Sequence, residues 1–340
     1  MIPDPGNPSG TRGVTAIAPV IISASRSTDI PAFYGSWFRE RLRAGYVTWK
    51  SPFGGAPVSV SFAAARLFVF WSKNPAPFIR YLDLLDEQGY GYYFLFTLND
   101  YDAEGLEPRI PSCAERIGTF IRLAERIGKG RVVWRFDPLV LSDRITVDDL
   151  LERARRIGDR IAPFTERMVF SFVDIEKYAK VKRNLARQGF PDMREFTDTE
   201  VQEFCSGLSR LNREWGLTIT ACSERRDLAR YGIGRGQCIS YELIAREFRH
   251  DPVLMAFLHL PAQTTLAGAG TAPDPSRFLK DPGQRNTCRC IVSKDIGQYS
   301  TCMHFCAYCY ANSSPAEVLR RYTRHCEDAA AGIFHDSITG

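Results

Sequence analysis

Short apolar runs alternate with amphipathic stretches along most of the chain, from about residue 20 to residue 250. This alternation is typical of repeated strand–helix units. Several runs are apolar at nearly every position, as expected for parallel strands that are covered on both faces. The predicted strands are VIISAS (20–25), GYVTWK (45–50), RLFVFWS (66–72), GYYFLFT (91–97), RVVWRFD (131–137), RMVFSFV (167–173), LTITACS (217–223) and QCIS (237–240).

The stretches between these runs have the spacing of amphipathic helices. In the first of them, Pro31 suits a first helical turn, and Thr28 or Asp29 is available as its cap. A later stretch ends at Gly216, a residue type suited to close a helix. Seven or eight such units over roughly 240 residues match the size of a (β/α)8 barrel. We therefore expect an α/β fold built as a TIM-like barrel or an incomplete barrel.

The composition changes after residue 260. The stretch PAQTTLAGAGTAPDPSRFLKDPGQRN (261–286) is rich in Ala, Gly, Thr and Pro, which predicts a long surface loop. We expect a flexible tail at residues 1–17, a barrel at 18–260, a linker loop at 261–286, and a cysteine-rich segment with a helix at 287–340.

Polar side chains follow the predicted strands at the point where each strand ends. In a parallel barrel these positions meet at one rim, where chemistry collects. Structural alternatives exist: Asp29 can cap a helix, and Arg135 with Asp137 can form an ion pair. Taken together, the cationic and anionic side chains at this rim would suit a ligand that carries carboxylate, phosphate or ammonium groups. The predicted catalytic residues are Arg26, Asp29, Lys50, Lys73, Arg135, Asp137 and Glu224, and predicted cofactor-binding residues at strand ends are Ser72, Asn74, Thr97 and Ser171.

The segment TCMHFCAYCYAN (301–312) places Cys302, Cys306 and Cys309 within eight residues. Three thiolates on one short loop can each bind one iron of a 4Fe-4S cluster, which leaves the fourth iron without a protein ligand. A structural zinc site is the alternative, but zinc ribbons favour two C-x2-C pairs. The spacing therefore favours an open-sided 4Fe-4S cluster rather than zinc. We expect this cluster to cover the mouth of the barrel.

Four further cysteines fall at or near the same mouth: Cys222, Cys238, Cys288 and Cys290. Four thiolates could fully ligate a second, closed cluster. In the alternative interpretation, Cys222 and Cys238 are buried small hydrophobic residues, and Cys288 and Cys290 bind zinc.

Composition and charge limit the class of protein and its expected location in the cell. The chain has 340 residues, ten cysteines and a net charge of +5. A disulfide scaffold is disfavoured, because cytosolic thiols stay reduced and the chain is large. No apolar run approaches a membrane span, and MIPDPGNPSGTRG lacks the pattern of a signal peptide, so we expect a cytoplasmic protein with no membrane partner.

The spacing C-x3-C-x-aromatic-C, with Tyr308 as the aromatic residue, resembles the motif of the radical S-adenosylmethionine superfamily. The runs IISASRSTDIPAFY, FWSKNPAPF, WRFDPL, QRNTCRCIVSKDIGQYSTC and CAYCYAN together resemble the uncharacterised family DUF1848, from Val20 to about Asn312. The superfamily resemblance implies that the open iron binds S-adenosylmethionine. An electron, from a donor such as flavodoxin or ferredoxin, would cleave it to a 5′-deoxyadenosyl radical that abstracts hydrogen from a small-molecule or peptide substrate.

Two features depart from the superfamily. The motif follows the last strand rather than the first, although these two strands are neighbours in a closed barrel. No GGE-like stretch is present to hold the methionine amino group. The candidates for the ligand's carboxylate are Arg26, Lys50, Lys73 and Arg135, those for its amino group are Asp137 and Glu224, and the candidate for stacking on adenine or shielding the cluster is Tyr308.

Two other functions stay open. An electron-transfer or redox-sensing module would keep the clusters but would not cleave S-adenosylmethionine. A nucleic-acid repair or modification enzyme is permitted by basic stretches such as KYAKVKRNLARQ and would bind oligonucleotides in a salt-dependent way. It ranks third, because no interleaving of aromatic and basic residues favours a nucleic-acid partner.

Overall fold

The structure is a computed structural model and describes residues 15–260 and 279–340. The strands are β1 (Thr15–Ile17), β2 (Ile21–Ala24), β3 (Tyr46–Trp49), β4 (Val58–Ser61), β5 (Leu67–Ser72), β6 (Gly91–Thr97), β7 (Val132–Leu139), β8 (Arg167–Phe172), β9 (Thr218–Cys222), β10 (Gly234–Gly236) and β11 (Lys294–Asp295). The α-helices are α1 (Ile30–Phe33), α2 (Gly35–Ala44), α3 (Leu82–Glu87), α4 (Cys113–Ile127), α5 (Val147–Ile161), α6 (Ala179–Arg187), α7 (Asp198–Trp215), α8 (Tyr241–Glu247), α9 (Pro252–Phe257) and α10 (Pro315–Ala330).

Eight strands form one parallel sheet in the order β10-β9-β8-β7-β6-β5-β2-β11. Continuous apolar runs build its centre: in β6, every residue after the first is buried. The predicted α/β fold with a large parallel sheet is confirmed. Strand pairing in the described residues does not join β10 to β11, so the sheet is open. A backbone hydrogen bond from Ile291 N to Ile239 O, at 3.2 Å, links the segments beside the two edges. We call this place the seam.

Two predicted strands differ in the structure. GYVTWK forms β3, which pairs antiparallel with β4 in a separate sheet of order β1-β4-β3. Only Val47 of β3 is fully buried, and such half-exposed strands suit antiparallel pairing. QCIS (237–240) is not a strand, because Ser240 already caps α8; β10, just before it, takes the sheet edge.

The predicted domain limits can be compared with the structure at the N-terminal tail and at the linker loop. The last three residues of the predicted tail, 15–17, form β1. Residues 1–14, and residues 261–278 of the predicted linker, lie outside the described residues.

Polar residues begin the long helices. Capping boxes open α4 (Ser112 with Glu115), α5 (Thr146 with Asp149) and α7 (Thr197 with Glu200). As predicted, Asp29 caps α1, and Gly216 closes α7 in the left-handed region. Among the helices of residues 15–260 and 279–340, none is both long and apolar enough to cross a membrane.

The two faces of the main sheet are covered differently. One face packs against α2, α4, α5 and α7 in a large aromatic-rich core. The other, which we call the inner face, carries Val69, Leu95, Val133 and Val169 and packs against α8 and α9. Side chains alternate along a strand, so the residues two positions further on continue the inner face toward the carboxyl ends. At these carboxyl ends the inner face carries polar and charged side chains. We call this part of the inner face the rim, and it is the candidate site.

Candidate functional site

Residues 296–313, which we call the cysteine loop, are tied to the loop that follows β2. The hydroxyl oxygens of Thr28 and Thr301 lie 2.7 Å apart, and the Tyr34 hydroxyl donates to the Thr301 carbonyl at 2.8 Å. Gln298 N donates to the Thr28 hydroxyl at 3.0 Å. The last parallel strand, β11, pairs with β2, so the segment that leads into the cysteine loop lies beside the first strand of the main sheet.

Asp29 and His304 make a second buried link between these loops. The Asp29 carboxylate accepts hydrogen bonds from Ala32 N at 3.0 Å and Lys73 N at 2.7 Å, and it lies 2.7 Å from His304 Nε2. The other ring nitrogen of His304 lies 3.3 Å from the Arg109 carbonyl. The helix cap that was the structural alternative for Asp29 is thus present, and Asp29 also holds the cysteine loop in place.

Cys302, Cys306 and Cys309, the thiol triad, are largely enclosed. Asn312 braces their loop: its backbone N–H donates to Cys309 Sγ at 3.4 Å, and its side-chain amide donates to the Cys302 carbonyl at 2.8 Å. Burial raises the pKa of Cys302 to about 12 and also raises the pKa values of Cys306 and Cys309. Burial therefore favours the neutral thiol at all three positions, and a bound metal cation would favour the thiolate. A small cavity beside the loop is lined in part by Cys306 and Cys309.

A charged network lies against the triad. The Lys73 ammonium donates to Glu107 Oε1 at 2.6 Å and to the Tyr308 hydroxyl at 3.0 Å, and that hydroxyl in turn donates to Glu107. The carboxylate is buried, which alone would raise its pKa, but Lys73 and Arg116 outweigh burial and lower the pKa of Glu107 to about 2. Backbone contact strengthens the link, because Ala307 N donates to the Leu106 carbonyl at 2.9 Å.

Asn99 and Arg116 connect this network to the next strand. The Arg116 side chain is fully buried and donates to the Asn99 carbonyl at 2.7 Å. Asn99 exchanges two hydrogen bonds with the backbone of Asp137, at 2.9 and 2.8 Å. Among the described residues, Glu107 Oε2 and Arg116 Nη1 have no hydrogen-bond partner, although they lie 3.8 Å apart. The hydrogen bonds of Asn99 to Arg116 and to Asp137 join the rim into one connected polar layer.

Arg135, Asp137 and Ser171 form the centre of the rim. Arg135 and the Ser171 hydroxyl both donate to the Asp137 carboxylate. Burial would raise the pKa of Asp137, but the neighbouring guanidinium of Arg135 lowers it overall. Thr97 lies beside Arg135 in register on the adjacent strand. The ion pair that was the structural alternative for Arg135 and Asp137 is present.

On its other side, Arg135 contacts a second group of thiols, Cys222, Cys238, Cys288 and Cys290, which we call the thiol quartet. Arg135 Nη1 donates to Cys238 Sγ at 2.8 Å, and the sulfurs of Cys238 and Cys222 lie 3.6 Å apart. Hydrogen bonds from Cys238 and Cys288 lower the pKa of Cys290 well below its ordinary value. The quartet lies at the seam, because its members come from the end of β9, the segment after β10 and the segment before β11.

Arg26 lies between the quartet and the cysteine loop. Its guanidinium stacks 4.8 Å from the Trp71 ring centre, and its backbone N–H donates to Asp295 at 2.8 Å. Burial would lower the pKa of Arg26, but the charges of Asp295 and Cys290 raise it overall. The Arg26 carbonyl accepts the hydroxyl of Tyr310, from the cysteine loop, at 2.9 Å.

Several predicted residues lie apart from this layer. The exposed Lys50 follows β3 and donates to the Gly340 carbonyl, so the separate sheet carries it away from the rim. Glu224 accepts the backbone N–H groups of Arg225 and Arg226 and closes its own turn. Ser72 follows Phe70 on the helix-covered face and accepts from Asn74 N at 3.0 Å.

Sequence reasoning missed Glu107 and Arg116. Neither follows a strand end: Glu107 lies in the loop between β6 and α4, and Arg116 lies in α4 itself. The available signal was the length of that loop, since long βα loops often carry functional residues.

Within residues 15–260 and 279–340, no group of three or more His, Cys, Asp and Glu side chains is placed to hold a single metal ion.

The fold and the site define an α/β protein in which two groups of thiols flank a charged rim at the carboxyl ends of a parallel sheet. The chain belongs to the family described as Domain of unknown function (DUF1848), which matches residues 21–311. This confirms the resemblance seen in the sequence. The matched range contains both thiol groups and the whole rim.

Other comparisons add little. No curated protein sequence matches the chain. A crystal structure described as a "putative alpha-L-fucosidase" from Bacteroides thetaiotaomicron VPI-5482 aligns with 93% of this chain and 96% of that chain, at 11% identity and a TM-score of 0.25. A similarity that weak carries no argument about fold or activity.

Proposed function

We propose that the chain is a radical S-adenosylmethionine-like iron–sulfur enzyme that abstracts hydrogen from a small-molecule or peptide substrate. The observation that carries the proposal is the direct contact between the cysteine loop and the charged rim. Tyr308, the residue before Cys309, hydrogen-bonds to both Lys73 and Glu107. A group held by the triad would therefore lie beside charged side chains suited to a polar ligand.

The thiol triad fits a 4Fe-4S cluster by the chemistry of its donors. Thiolates are the usual protein ligands of such clusters, and three of them leave one iron open. The neutral state favoured by burial would give way to thiolates once positive metal charge is present. Cys302, Cys306 and Cys309 would hold this cluster, which supplies a single electron and an open iron for reductive cleavage of S-adenosylmethionine.

The rim offers both signs of charge to a zwitterionic ligand. Arg135 and Lys73 would bind a carboxylate, and Asp137 and Glu107 would bind an ammonium group. All four side chains are largely enclosed. Charges act strongly where water is excluded, so the rim would orient the ligand as well as bind it. Tyr308 would hold the cysteine loop against the rim through its hydroxyl.

The thiol quartet would hold a second cluster. Besides the sulfurs, the site supplies N–H donors to them: Arg135 to Cys238, and Ile239 N to Cys290 at 3.4 Å. Such donors to sulfur tune the potential of a cluster. A group bound here would connect the β9–β10 side of the sheet with the β11 side, and it would complete the barrel that strand pairing leaves open.

A redox module without catalysis is the second candidate. It is favoured by the internal pairing of the rim, where Arg135 with Asp137 and Lys73 with Glu107 already neutralise each other. The two candidates differ in one property: only the enzyme binds S-adenosylmethionine and cleaves it reductively.

The test uses anaerobically reconstituted protein. Iron and sulfide are measured per chain, and the EPR spectrum of the reduced protein is recorded with and without S-adenosylmethionine. We expect about eight irons and a signal that changes on adding the cofactor. An iron-loaded protein whose signal does not change favours the redox module. Zinc without sulfide contradicts both candidates.

A further inference from the structure

Helix α6 (Ala179–Arg187) leans against the cysteine loop. Its inward side buries Val181 and Leu185. From the same side, the Asn184 amide donates to the Cys309 carbonyl at 2.9 Å. The helix is thus fixed to the backbone of a triad cysteine.

The outward side of α6 is strongly cationic. The sequence AKVKRNLAR contains four cationic residues and no acidic one. Lys182 pairs with Glu176 at 2.7 Å, whereas Arg183 and Arg187 are exposed and have no carboxylate partner among the described residues. The Lys180 ammonium reaches over to the Ser313 hydroxyl at 3.1 Å. Of these cations, Lys180 and Arg187 lie at the border between the helix and the cysteine loop.

A small cavity lies beside the triad at this place. The cavity between α6 and the loop is lined by Arg187, Asn184, Phe305, Cys306 and Cys309, among others. Arg109 lies over the Phe305 ring at 4.6 Å and adds another exposed cation to the border. Cations therefore border a small cavity whose lining includes two of the three triad cysteines.

We propose that this surface docks an anionic protein that carries single electrons, such as a reduced flavodoxin or ferredoxin. The inference rests on the proposed function, because it assumes a reducible cluster on the triad. One electron would pass from the carrier to the cluster, so the carrier is oxidised by one electron and the cluster reduced by one. Opposite charges speed the encounter and orient it, so the carrier would meet the protein at the point nearest Cys306 and Cys309.

The test compares two charge-reversal variants. Arg183→Glu with Arg187→Glu alters the proposed surface, and Arg210→Glu with Arg213→Glu makes the same change on the exposed side of α7, which lines no part of the cavity. Reduced flavodoxin is mixed anaerobically with each reconstituted protein, and cluster reduction is followed by absorbance. Reduction by dithionite reports whether each cluster is intact.

We expect the α6 variant to lower the second-order rate with flavodoxin by about tenfold or more at low salt. The difference from wild type should shrink as ionic strength rises. The α7 variant should stay close to wild type, and dithionite should reduce all three proteins alike. Oxidised flavodoxin should also bind the cluster-free wild type more tightly than the cluster-free α6 variant, which checks the surface without any redox step.

Two results overturn the proposal, and they are distinguishable. If dithionite reduces the cluster but the α6 and α7 variants react alike with flavodoxin, the docking surface is wrong and the proposed function stands. If no cluster is reducible in the wild type, both fail together.

Discussion

The thiol triad and the thiol quartet hold the same functional group in two different ways. The triad lies within eight residues of one loop, and that loop is attached to its surroundings by side chains other than the cysteines, such as Thr28 and Tyr34. The quartet is drawn from three separate segments that meet at the seam of the open sheet. A compact motif can thus be positioned by its neighbours, whereas a dispersed one depends on the fold and can in turn stabilise it.

Their electrostatic settings differ as well. Burial raises the pKa values of all three triad thiols. In the quartet, the thiols hydrogen-bond to one another beside Arg135 and Arg26, so the pKa of Cys290 is lowered while that of Cys238 is raised. A thiolate therefore forms more readily at Cys290 of the quartet than at any cysteine of the triad.

The largest effect is expected for Cys306→Ala in the triad. This change should abolish the response of the EPR signal to S-adenosylmethionine and remove about four of the eight irons. The fold should persist, because other side chains anchor the loop. Cys326→Ala, at an exposed cysteine of α10, is the matched control and should change neither property. A response that survives Cys306→Ala would contradict the assignment of the triad.

Glu107→Gln tests the charged network under the triad. It leaves the buried cations Lys73 and Arg116 without their carboxylate, and breaking a buried charge network of this kind costs about 3–5 kcal/mol of unfolding free energy. Denaturant unfolding measures the loss. Glu176→Gln removes an exposed partner of Lys182 and should cost about 0–1 kcal/mol. Equal losses in the two variants would show that the network contributes no more than a surface pair.

Cys238→Ala tests the seam. Because Arg135 loses the sulfur that it contacts at 2.8 Å, we expect the metal-free protein to lose about 1–3 kcal/mol of unfolding free energy. The metal-free Cys306→Ala protein should lose less, since among the described residues no side-chain cation donates a hydrogen bond to that sulfur. Reconstituted Cys238→Ala should lose further stability relative to wild type, because metal binding contributes to folding. If both cysteine variants lose the same amount, the seam has no special structural role.

The smallest effect is expected for Lys50→Ala. The ammonium contacts only the Gly340 carbonyl among the groups that the structure describes around it, and the side chain is exposed. We expect a change in unfolding free energy within about 0.5 kcal/mol and no change in S-adenosylmethionine binding. A lost cofactor response would mean that the separate sheet contributes to the site after all.

Much of the fold followed from local patterns. The apolar runs of β5 to β9 were predictable because parallel strands covered on both faces need hydrophobic residues at nearly every position. The edges were not. GYVTWK has the local features of any half-buried strand, and its antiparallel pairing with β4 depends on a partner that local pattern does not specify. QCIS is apolar enough for a strand, but Ser240 starts a helix there.

The family, the parallel α/β sheet and the spacing of Cys302, Cys306 and Cys309 could be predicted from the sequence, because each is expressed in the pattern of residues along the chain. Other features arise only in the folded chain. The tertiary structure brought Cys222 and Cys238 together, moved Lys50 away from the rim and placed Glu107 against Tyr308. These pairings depend on how sheet edges and loops meet across the molecule. Contacts of that kind are set by packing and by the need to pair buried charge, neither of which is visible in the order of residues alone.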